Sequence, residues 1–338
     1  MRLRSLDVFR GLAVAGMIVV NNQGSGAHAF PGTTHAPWHG VTPADLVFPF
    51  FLVAMGAGMA FGAPSTGRIL RRGVVLFAIG LALNGLPHVD LAEVHLLGVL
   101  QRIALAYVIA ALLVRHVPRR RQLLVAGVIL AGYWAALSLV PVPGHGAGHL
   151  SPAGNLTGYI DRTLLGARHL YGNGPSDPEG LLSTLPAVVT VLMGYWASEW
   201  LREEPRRLVR VGVACVLAGL AWHPLFPMNK KLWTSSYVLF TGGCALLVLA
   251  GVHRLVDVGA RRLVAFEALG RNAILAFVGS EELGYLIQRA HLREEIYRRV
   301  FVPWAGLNLG SLSYALAELA LLGLVLRALY ARRWFLTV

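Results

Sequence analysis

Residues 181–201 read LLSTLPAVVTVLMGYWASEWL, an almost entirely apolar run that Arg202 closes. A run of about 20 apolar residues is long enough to cross the hydrocarbon core of a bilayer as a helix. The whole chain has this character, because 56% of its 338 residues are hydrophobic and only 14% are charged. Soluble domains carry about 25% charged residues. The composition excludes a soluble enzyme, a secreted scaffold and a disordered protein, and it predicts a polytopic membrane protein.

Ten such apolar blocks follow one another along the chain. They cover residues 5–22, 44–62, 69–86, 98–116, 122–140, 181–201, 208–222, 235–252, 263–280 and 308–327. The sequence therefore predicts an all-α integral membrane bundle of about ten transmembrane helices, folded as one domain over residues 1–338. Arginine-rich segments between alternate blocks carry twenty of the 30 basic residues. By the positive-inside rule, those segments and both termini are cytoplasmic.

The first 29 residues also permit a second interpretation. A basic start, an apolar run over residues 12–20 and the sequence Ala27-His28-Ala29 resemble a cleavable signal peptide. We favour a retained span, because Asp7 and Arg10 lie three residues apart on a helix and can pair. Its removal would leave nine crossings and put the two termini on opposite sides of the membrane.

The net charge, the cysteines and the small residues indicate which binding partners the chain can have. The net charge of +13 does not indicate a nucleic-acid partner, because the arginines lie at block ends, where membrane topology explains them. Cys215 and Cys244 both lie inside apolar blocks, so we expect no disulfide framework, and we expect no metal site. The lipid bilayer is the partner that the composition requires. Gly- and Ala-rich blocks also permit close packing between protomers, and hence a homodimer.

The loop between the first two blocks carries the most reactive side chains. Asn21 closes the first block, His35 lies in the loop, and Asp45 follows Thr42 and Pro43 at the start of the second block. Histidine titrates near neutral pH and is the commonest general base. Asp45 either stabilises the first turn of its helix or orients that histidine, since a base usually needs a third group to fix its tautomer.

Two polar pairs, Gln101-Arg102 and Arg271-Asn272, interrupt apolar blocks. A charge near the bilayer centre costs about 2.5–3.5 kcal/mol on the insertion scale, so such groups normally face a cavity or a partner. Either the arginines form structural salt bridges, or these pairs bind an anion, because the guanidinium group matches phosphate geometrically.

Polar residues also lie at the predicted outer ends of several blocks. Asp177 and Glu179 precede the sixth block, Asn229 and Lys230 precede the eighth, and Glu281 follows the ninth. Each has a simpler interpretation as a helix-start residue or an interfacial anchor. The functional alternative, which we adopt as the prediction, is that these five residues bind a substrate on the outer face.

Seven stretches, in order along the chain, carry a family resemblance. They are RLRSLDVFRG (2–11), MIVVN (17–21), HAPWHGVTPADLVFPFF (35–51), GVLQRI (98–103), DPEGLLST (177–184), NKKLWTSSY (229–237) and GRNAIL (270–275). Together they resemble the heparan-α-glucosaminide N-acetyltransferase family and its bacterial members. The block over 35–51 is specific, whereas GVLQRI or GRNAIL alone would be weak.

The resemblance implies a single transmembrane acetyltransferase domain in a bacterial inner membrane. It implies transfer of an acetyl group from cytoplasmic acetyl-CoA to the amine of a glucosamine-type sugar on the outer face. His35 then corresponds to the active-site histidine, and Asn21 to the asparagine that closes the family's first span. The chain departs from the animal lysosomal enzyme in lacking its N-terminal luminal region and first span. It also has Lys231 and Ser176 where that enzyme has asparagine and tyrosine. These positions lie on the predicted outer face, so the departures bear on the identity of the acceptor.

On this interpretation Asn21, His35 and Asp45 are catalytic, and the pairs Gln101-Arg102 and Arg271-Asn272 bind the acetyl-CoA phosphates. Two other functions fit the same residues. A secondary transporter of amino sugars or cell-wall fragments would use the two intramembrane arginines to bind its substrate. An O-acyltransferase of surface polysaccharide would use the same donor and a hydroxyl acceptor.

Overall fold

The computed structural model describes residues 3–62, 64–85 and 92–336, and every named element among them is a helix. The α-helices are α1 (Arg4–Asn21), α2 (Val47–Met59), α3 (Thr66–Gly85), α4 (Val99–His116), α5 (Arg119–Leu139), α6 (Leu156–Leu165), α7 (Leu181–Glu203), α8 (Arg206–Trp222), α9 (Ser235–His253), α10 (Val264–Arg271), α11 (Ala273–Arg289), α12 (Leu292–Ile296) and α13 (Val302–Ala331). A 3-10 turn over Pro43–Leu46 leads into α2, and π-helical turns over Arg254–Val258 and Tyr297–Phe301 follow α9 and α12.

The all-α prediction is confirmed within these ranges. Five helical stretches are long and apolar enough to cross a membrane, and a sixth apolar helix, Pro43–Met59, is shorter. The five are Val99–His116, Arg119–Leu139, Leu181–Glu203, Ser235–Val258 and Leu292–Ala331. The other predicted blocks also coincide with helices, except for the ninth, and residue 86 at the end of the third block lies outside the described residues. The count of ten spans and the cytoplasmic termini remain predictions.

The ninth block, predicted as one span over residues 263–280, is not one continuous helix. Helix α10 ends at Arg271, Asn272 has a non-helical backbone (φ −117°, ψ 37°), and α11 begins at Ala273. Asn272 is fully buried, and its side chain bonds the backbone of Trp334 and Leu336 instead of continuing the helix. Arg271 therefore lies at the end of a helix rather than in the middle of one. Glu281 lies within α11 rather than after it.

The connector between the fifth and sixth predicted blocks, residues 141–180, contains a helix of its own. Asn155 caps α6, because its Oδ1 accepts a hydrogen bond of 2.7 Å from the backbone N–H of Gly158. Gly166 ends the helix with a φ of +86°, a conformation that glycine adopts without steric cost. This connector is therefore a folded element, with local start and stop signals that are visible in the sequence.

The contacts between residues group the described chain into two compact units. The first unit comprises residues 3–36, 41–51 and 248–336, and the second comprises residues 37–40 and 52–247. In the first unit, α1 crosses α10 at two glycines. A Cβ atom on Gly11 would overlap the carbonyl oxygen of Phe266, and one on Gly270 would overlap that of Asp7. Small residues of this kind let two helix backbones approach closely.

The second unit uses the same device where α2 crosses α7. A Cβ atom on Gly56 would overlap the carbonyl oxygen of Val191, and one on Gly194 would overlap that of Val53. The neighbouring residues Val53, Val188 and Val191 are fully or almost fully buried. The two backbones are therefore in direct contact, and no side chain separates them.

We expect Gly194→Ala to destabilise the protein by about 1–3 kcal/mol, the usual cost of overpacking a core. This sign is informative, because alanine stabilises an ordinary helix position by about 1 kcal/mol relative to glycine. The matched control is Gly132→Ala on α5, where a Cβ atom would meet no other atom within 4 Å. Thermal unfolding in detergent should show a lower midpoint for Gly194→Ala and an equal or higher midpoint for Gly132→Ala. Equal stability of both variants would contradict the close crossing.

Candidate active site

The predicted histidine and carboxylate meet in the first unit. His35 Nδ1 lies 2.8 Å from Asp45 Oδ1, a hydrogen-bonding distance. Asp45 has only 1% of its side chain exposed, whereas His35 has 36% exposed. A buried carboxylate that accepts the Nδ1 proton fixes the tautomer in which Nε2 is the basic nitrogen. The pair thus has the geometry of a general base with its orienting partner.

Asp45 also performs the structural task that the sequence left open. Its Oδ2 accepts hydrogen bonds from the backbone N–H groups of Thr42 (2.9 Å) and Ala36 (3.1 Å) and from the Thr42 hydroxyl (3.1 Å). These bonds fix the loop and the turn that begins at Pro43. The contacts fit both interpretations of Asp45, since Oδ2 accepts from the helix start and Oδ1 lies beside His35.

Asn21 and Glu281, predicted for different tasks, form a hydrogen-bonded pair in the first unit. Asn21 Nδ2 donates to Glu281 Oε1 over 2.9 Å. Asn21 is exposed at the last position of α1, whereas Asn22 is buried and donates to the carbonyl of Ile18. The chain thus turns one amide inward to end the helix and leaves the other at the surface, held by a carboxylate.

Arg293 and Glu318, which the sequence analysis missed, accompany Glu281. Arg293 interacts electrostatically with both carboxylates, and its Nη2 donates to the carbonyl of Gly284 over 3.2 Å. Glu318 is 6% exposed, and neither carboxylate oxygen has a hydrogen-bond partner among the described residues. Glu318 lies inside the tenth predicted span, so the rule that singled out Arg102 also applies to it.

Arg102 lies in the second unit, fully buried near the start of α4. Its Nη2 donates to the Ser183 hydroxyl, and its guanidinium carbon lies 4.9 Å from the centre of the Trp233 ring. The carboxylates of Asp161, Asp177 and Glu179 interact electrostatically with this guanidinium group. These carboxylates offset the Arg102 charge only at a distance, because its Nε and Nη1 have no hydrogen-bond partner among the described residues. The sequence analysis predicted Asp177 and Glu179 as site residues but not Asp161, Ser183 or Trp233.

Asp177 anchors the connector that precedes α7. Its Oδ2 lies 2.7 Å from His95 Nε2 and accepts from the backbone of Tyr171, and its Oδ1 accepts from the backbone of Glu179. Only 1% of the residue is exposed. Glu179 is half-buried, and burial raises the pKa of its carboxyl, while the charge of Arg102 opposes that rise. Asp177 is thus a loop anchor, and Glu179 is the more accessible of the two.

Asn229 likewise organises its own turn. It is fully buried, its Oδ1 accepts from the backbone of Leu232 over 2.9 Å, and its Nδ2 lies 3.4 Å from His39 Nδ1. Burial is the larger cause, and the neighbouring His223 the smaller cause, of a lowered pKa of His39. Lys230 is half-buried beside it and lies within electrostatic reach of Glu179. The side chain of Asn229 is thus committed to the fold.

The remaining predicted donor-binding residues are divided between the two units. Gln101 is 1% exposed, and its Nε2 has no hydrogen-bond partner among the described residues. Arg271 stacks on the ring of Phe335 at 3.6 Å, and the side chain of Asn272 holds the C-terminal segment. Gln101 and Arg102 belong to the second unit, and Arg271 and Asn272 belong to the first. No group of three or more metal-ligating side chains occurs among the described residues.

Asp161 permits a test of the charge balance around Arg102. Its Oδ1 accepts from the backbone of Leu181, its Oδ2 has no hydrogen-bond partner among the described residues, and burial raises its pKa to about 6. The folded protein therefore binds a proton that the unfolded chain releases near pH 4. The stabilisation is complete below pH 4 and is lost as the pH rises through 6, a difference of about 2–3 kcal/mol.

We expect Asp161→Asn, which cannot ionise, to gain stability over the parent as the pH rises from 4 to 7. Thermal unfolding of the detergent-solubilised protein across this range measures the gain. Glu204→Gln, at an exposed carboxylate, is the control and should show no comparable trend. A parent protein whose stability relative to Asp161→Asn is constant with pH would contradict the assignment.

Comparisons with known proteins identify the family to which the chain belongs. A family model described as "Heparan-alpha-glucosaminide N-acetyltransferase, catalytic" matches residues 2–226, which include Asn21, His35 and Asp45. The chain is 32% identical over 352 residues to the heparan-alpha-glucosaminide N-acetyltransferase of Homo sapiens, covering 83% of this chain and 53% of that protein. It is 30% identical over 354 residues to the Mus musculus protein of the same name, covering 83% and 54%. The chain thus spans about half the length of these curated relatives. It belongs to the heparan-alpha-glucosaminide N-acetyltransferase family.

Proposed function

We propose that the protein is a transmembrane N-acetyltransferase that moves the acetyl group of acetyl-CoA to the amine of a glucosamine-type sugar. The observation that carries this proposal is the His35–Asp45 pair, within the region that the catalytic family model matches. We further propose a bacterial cytoplasmic membrane, a cytoplasmic donor, an acceptor on the outer face and one catalytic domain over residues 1–338. The apolar helices and the distribution of arginines support this topology.

In the direct route, the amine attacks the carbonyl carbon of the thioester while His35 Nε2 takes its proton. The new C–N bond forms, the C–S bond breaks, and the proton passes from His35 to the departing thiolate, so that free CoA leaves as a thiol. In the alternative route, His35 first carries the acetyl group and then transfers it to the amine. Both are established tasks for histidine, and both need the tautomer that Asp45 fixes.

Asn21 is the candidate oxyanion donor. Glu281 accepts one N–H of its amide, so the second N–H of the same amide can donate to the thioester oxygen as negative charge develops there. A carboxylate that orients the amide before the reaction removes the cost of orienting it during the reaction. We therefore propose that Glu281 positions Asn21, in place of the substrate-binding task that the sequence predicted.

For binding acetyl-CoA and the acceptor sugar we propose candidate residues without a detailed geometry. Arg271 is our candidate for a CoA phosphate, because it lies at a helix end, where its guanidinium carbon is 3.6 Å from the centre of the Phe335 ring and no ion pair to it occurs among the described residues. Arg102, with Gln101 beside it, is a weaker candidate, because the carboxylates of Asp161, Asp177 and Glu179 lie within electrostatic reach of it and would repel a phosphate. Asn272 supports Arg271 by holding the C-terminal segment.

Glu179 and Lys230 remain candidates for binding the acceptor, whereas Asp177 and Asn229 hold their loops in place.

The decisive experiment incubates the purified protein with acetyl-CoA and a panel of amino sugars, and measures released thiol together with the mass of the product. We expect acceptor-dependent release of CoA and an alkali-stable amide. An alkali-labile ester would identify an O-acyltransferase. Uptake of unmodified labelled sugar into vesicles, with no release of CoA, would identify a transporter. Either result would overturn the proposal.

We expect Asn21→Ala to lower turnover by about 10²–10³, the usual cost of losing one oxyanion donor. Glu281→Ala should lower turnover less, and in the Asn21→Ala background it should lower it no further, because it acts through Asn21. Asn308→Ala is a matched control, since this exposed asparagine bonds only the carbonyl of Ala29. Independent, additive effects of Asn21→Ala and Glu281→Ala on turnover would contradict the positioning role.

A further inference from the structure

A second site lies in the second unit, among helices α5, α7, α8 and α9. It is an elongated groove of about 700 Å³, within the usual size range of ligand pockets. Its length is lined by apolar side chains, among them Leu123, Leu130, Val189, Met193 and Leu246. The catalytic proposal uses none of these residues.

The groove runs along the helices and not into the core. On α5 its lining residues extend from Arg119 to Leu130, a rise of about 16 Å, and on α7 from Val189 to Glu203, a rise of about 21 Å. Only 28% of the apolar window of α5 is buried, and Leu123 on the groove wall is 49% exposed. The groove therefore opens on the side of α5 that faces the hydrocarbon of the bilayer.

One end of the groove is charged and aromatic. Arg119 Nε lies 3.5 Å from Glu199 Oε2, and the Arg119 guanidinium lies over the ring of Trp196 at 4.6 Å. Arg207 lies over the ring of Trp200 at 5.3 Å. Glu203 completes the lining at this end. Tryptophan and arginine together are typical of the membrane–water interface.

This end carries equal numbers of positive and negative side chains, but they do not use all of their hydrogen-bonding groups on one another. Two arginines face two glutamates, and Arg119 Nη1 is buried without a hydrogen-bond partner among the described residues. Acetyl-CoA, whose charged groups are all anionic, would satisfy the arginines and repel the glutamates. A phosphate linked to a primary ammonium would satisfy both, because guanidinium pairs with phosphate and carboxylate with ammonium.

We propose that the groove binds one phospholipid with a zwitterionic, primary-amine headgroup, such as phosphatidylethanolamine. Its phosphate is bound by Arg119 and Arg207, its ammonium by Glu199 and Glu203, and one acyl chain lies along α5 and α7. The inference does not depend on the acetyltransferase activity. A failed lipid test and an inactive enzyme are therefore separate results.

Gly127 supplies a sharp test, because it lines the groove and a Cβ atom on it would meet no other atom within 4 Å. Gly127→Leu fills the groove without displacing the protein's own atoms. Gly132→Leu, on the same helix, has an equally open Cβ direction and is not among the lining residues, so it is the matched control. Thermal unfolding of both variants in detergent confirms that they fold.

The experiment measures thermal stabilisation of the full-length protein by phosphatidylethanolamine, phosphatidylcholine and phosphatidylglycerol with identical acyl chains, and the phospholipid that co-purifies. We expect phosphatidylethanolamine to stabilise the parent and Gly132→Leu most, and Gly127→Leu to lose this preference and the co-purified lipid. Glu203→Gln should bind phosphatidylethanolamine about tenfold more weakly, since one hydrogen bond to a charged group is lost. Equal stabilisation by all three lipids would overturn the proposal. So would retained selectivity in Gly127→Leu, or a second copy of the chain cross-linked across the groove.

Discussion

Replacement of His35 by alanine should abolish acetyl transfer while CoA still binds. The imidazole is the candidate base in the direct route and the candidate acetyl carrier in the two-step route, so both routes lose their central group. General-base catalysis alone contributes about 10²–10⁴ in rate, and loss of the carrier would stop the two-step route entirely. Released thiol measures turnover, and isothermal titration with CoA measures donor binding in the same preparation.

His39→Ala is the control for this prediction. His39 lies four residues away, its Nδ1 lies near Asn229 Nδ2, and it forms no ion pair with a carboxylate among the described residues. Burial and, to a lesser extent, the neighbouring His223 lower the pKa of His39, so both favour its neutral form. We expect a small effect on turnover. An active His35→Ala enzyme would refute the assignment for either route, and an inactive His39→Ala enzyme that folds would move the reaction centre.

Asp45→Asn should lower turnover by about 10²–10⁴, a range bounded by the loss seen when the carboxylate of a serine-protease triad becomes an amide. The asparagine oxygen can still accept from the backbone N–H groups of Thr42 and Ala36. Its NH₂ group then faces His35 Nδ1 and favours the tautomer with the proton on Nε2. That nitrogen can no longer accept a proton from the amine.

Thr42→Val separates this chemical effect from a structural one. The valine removes the hydroxyl that Asp45 Oδ2 accepts from, and it leaves the contact between Asp45 and His35 in place. We expect Thr42→Val to lower the unfolding temperature but to keep most of the turnover, whereas Asp45→Asn should show the opposite pattern. If the two variants lose turnover in proportion to stability, Asp45 acts only as a helix cap.

The sequence predicted the elements of the fold well, because apolar blocks and their arginine ends are local signals. It failed at Asn272, because the break in the ninth block depends on hydrogen bonds to residues about sixty positions later. His35 and Asp45 could be paired from sequence, since they lie ten residues apart around a helix start. The contact between Asn21 and Glu281 joins positions 260 residues apart, and no local pattern indicates it.

Arg102 shows the same limit on the predicted site. Its position in an apolar block correctly indicated that it needs a partner, but the sequence could not show which one. The structure supplies Asp161, from a connector predicted as a loop, together with Asp177 and Glu179. Glu318 carried an equally clear signal, as an acidic residue inside the tenth block. Glu318 was not predicted, because only arginines inside apolar blocks were interpreted as ligand-binding charges.

One carboxylate, that of Asp45, contacts both the start of α2 and His35. The fraying of the helix start and the orientation of His35 are therefore coupled. When the turn at Pro43–Leu46 frays, Asp45 Oδ2 loses its backbone donors and the whole carboxylate reorients, so His35 loses its orienting partner in the same event. The fraction of molecules with a competent base therefore equals the fraction with an intact helix start. Turnover should then decline on warming as this one turn frays, before the bundle unfolds. Substitutions that stiffen the loop over residues 36–42 should raise the temperature at which the enzyme stops working, with no change to the base itself.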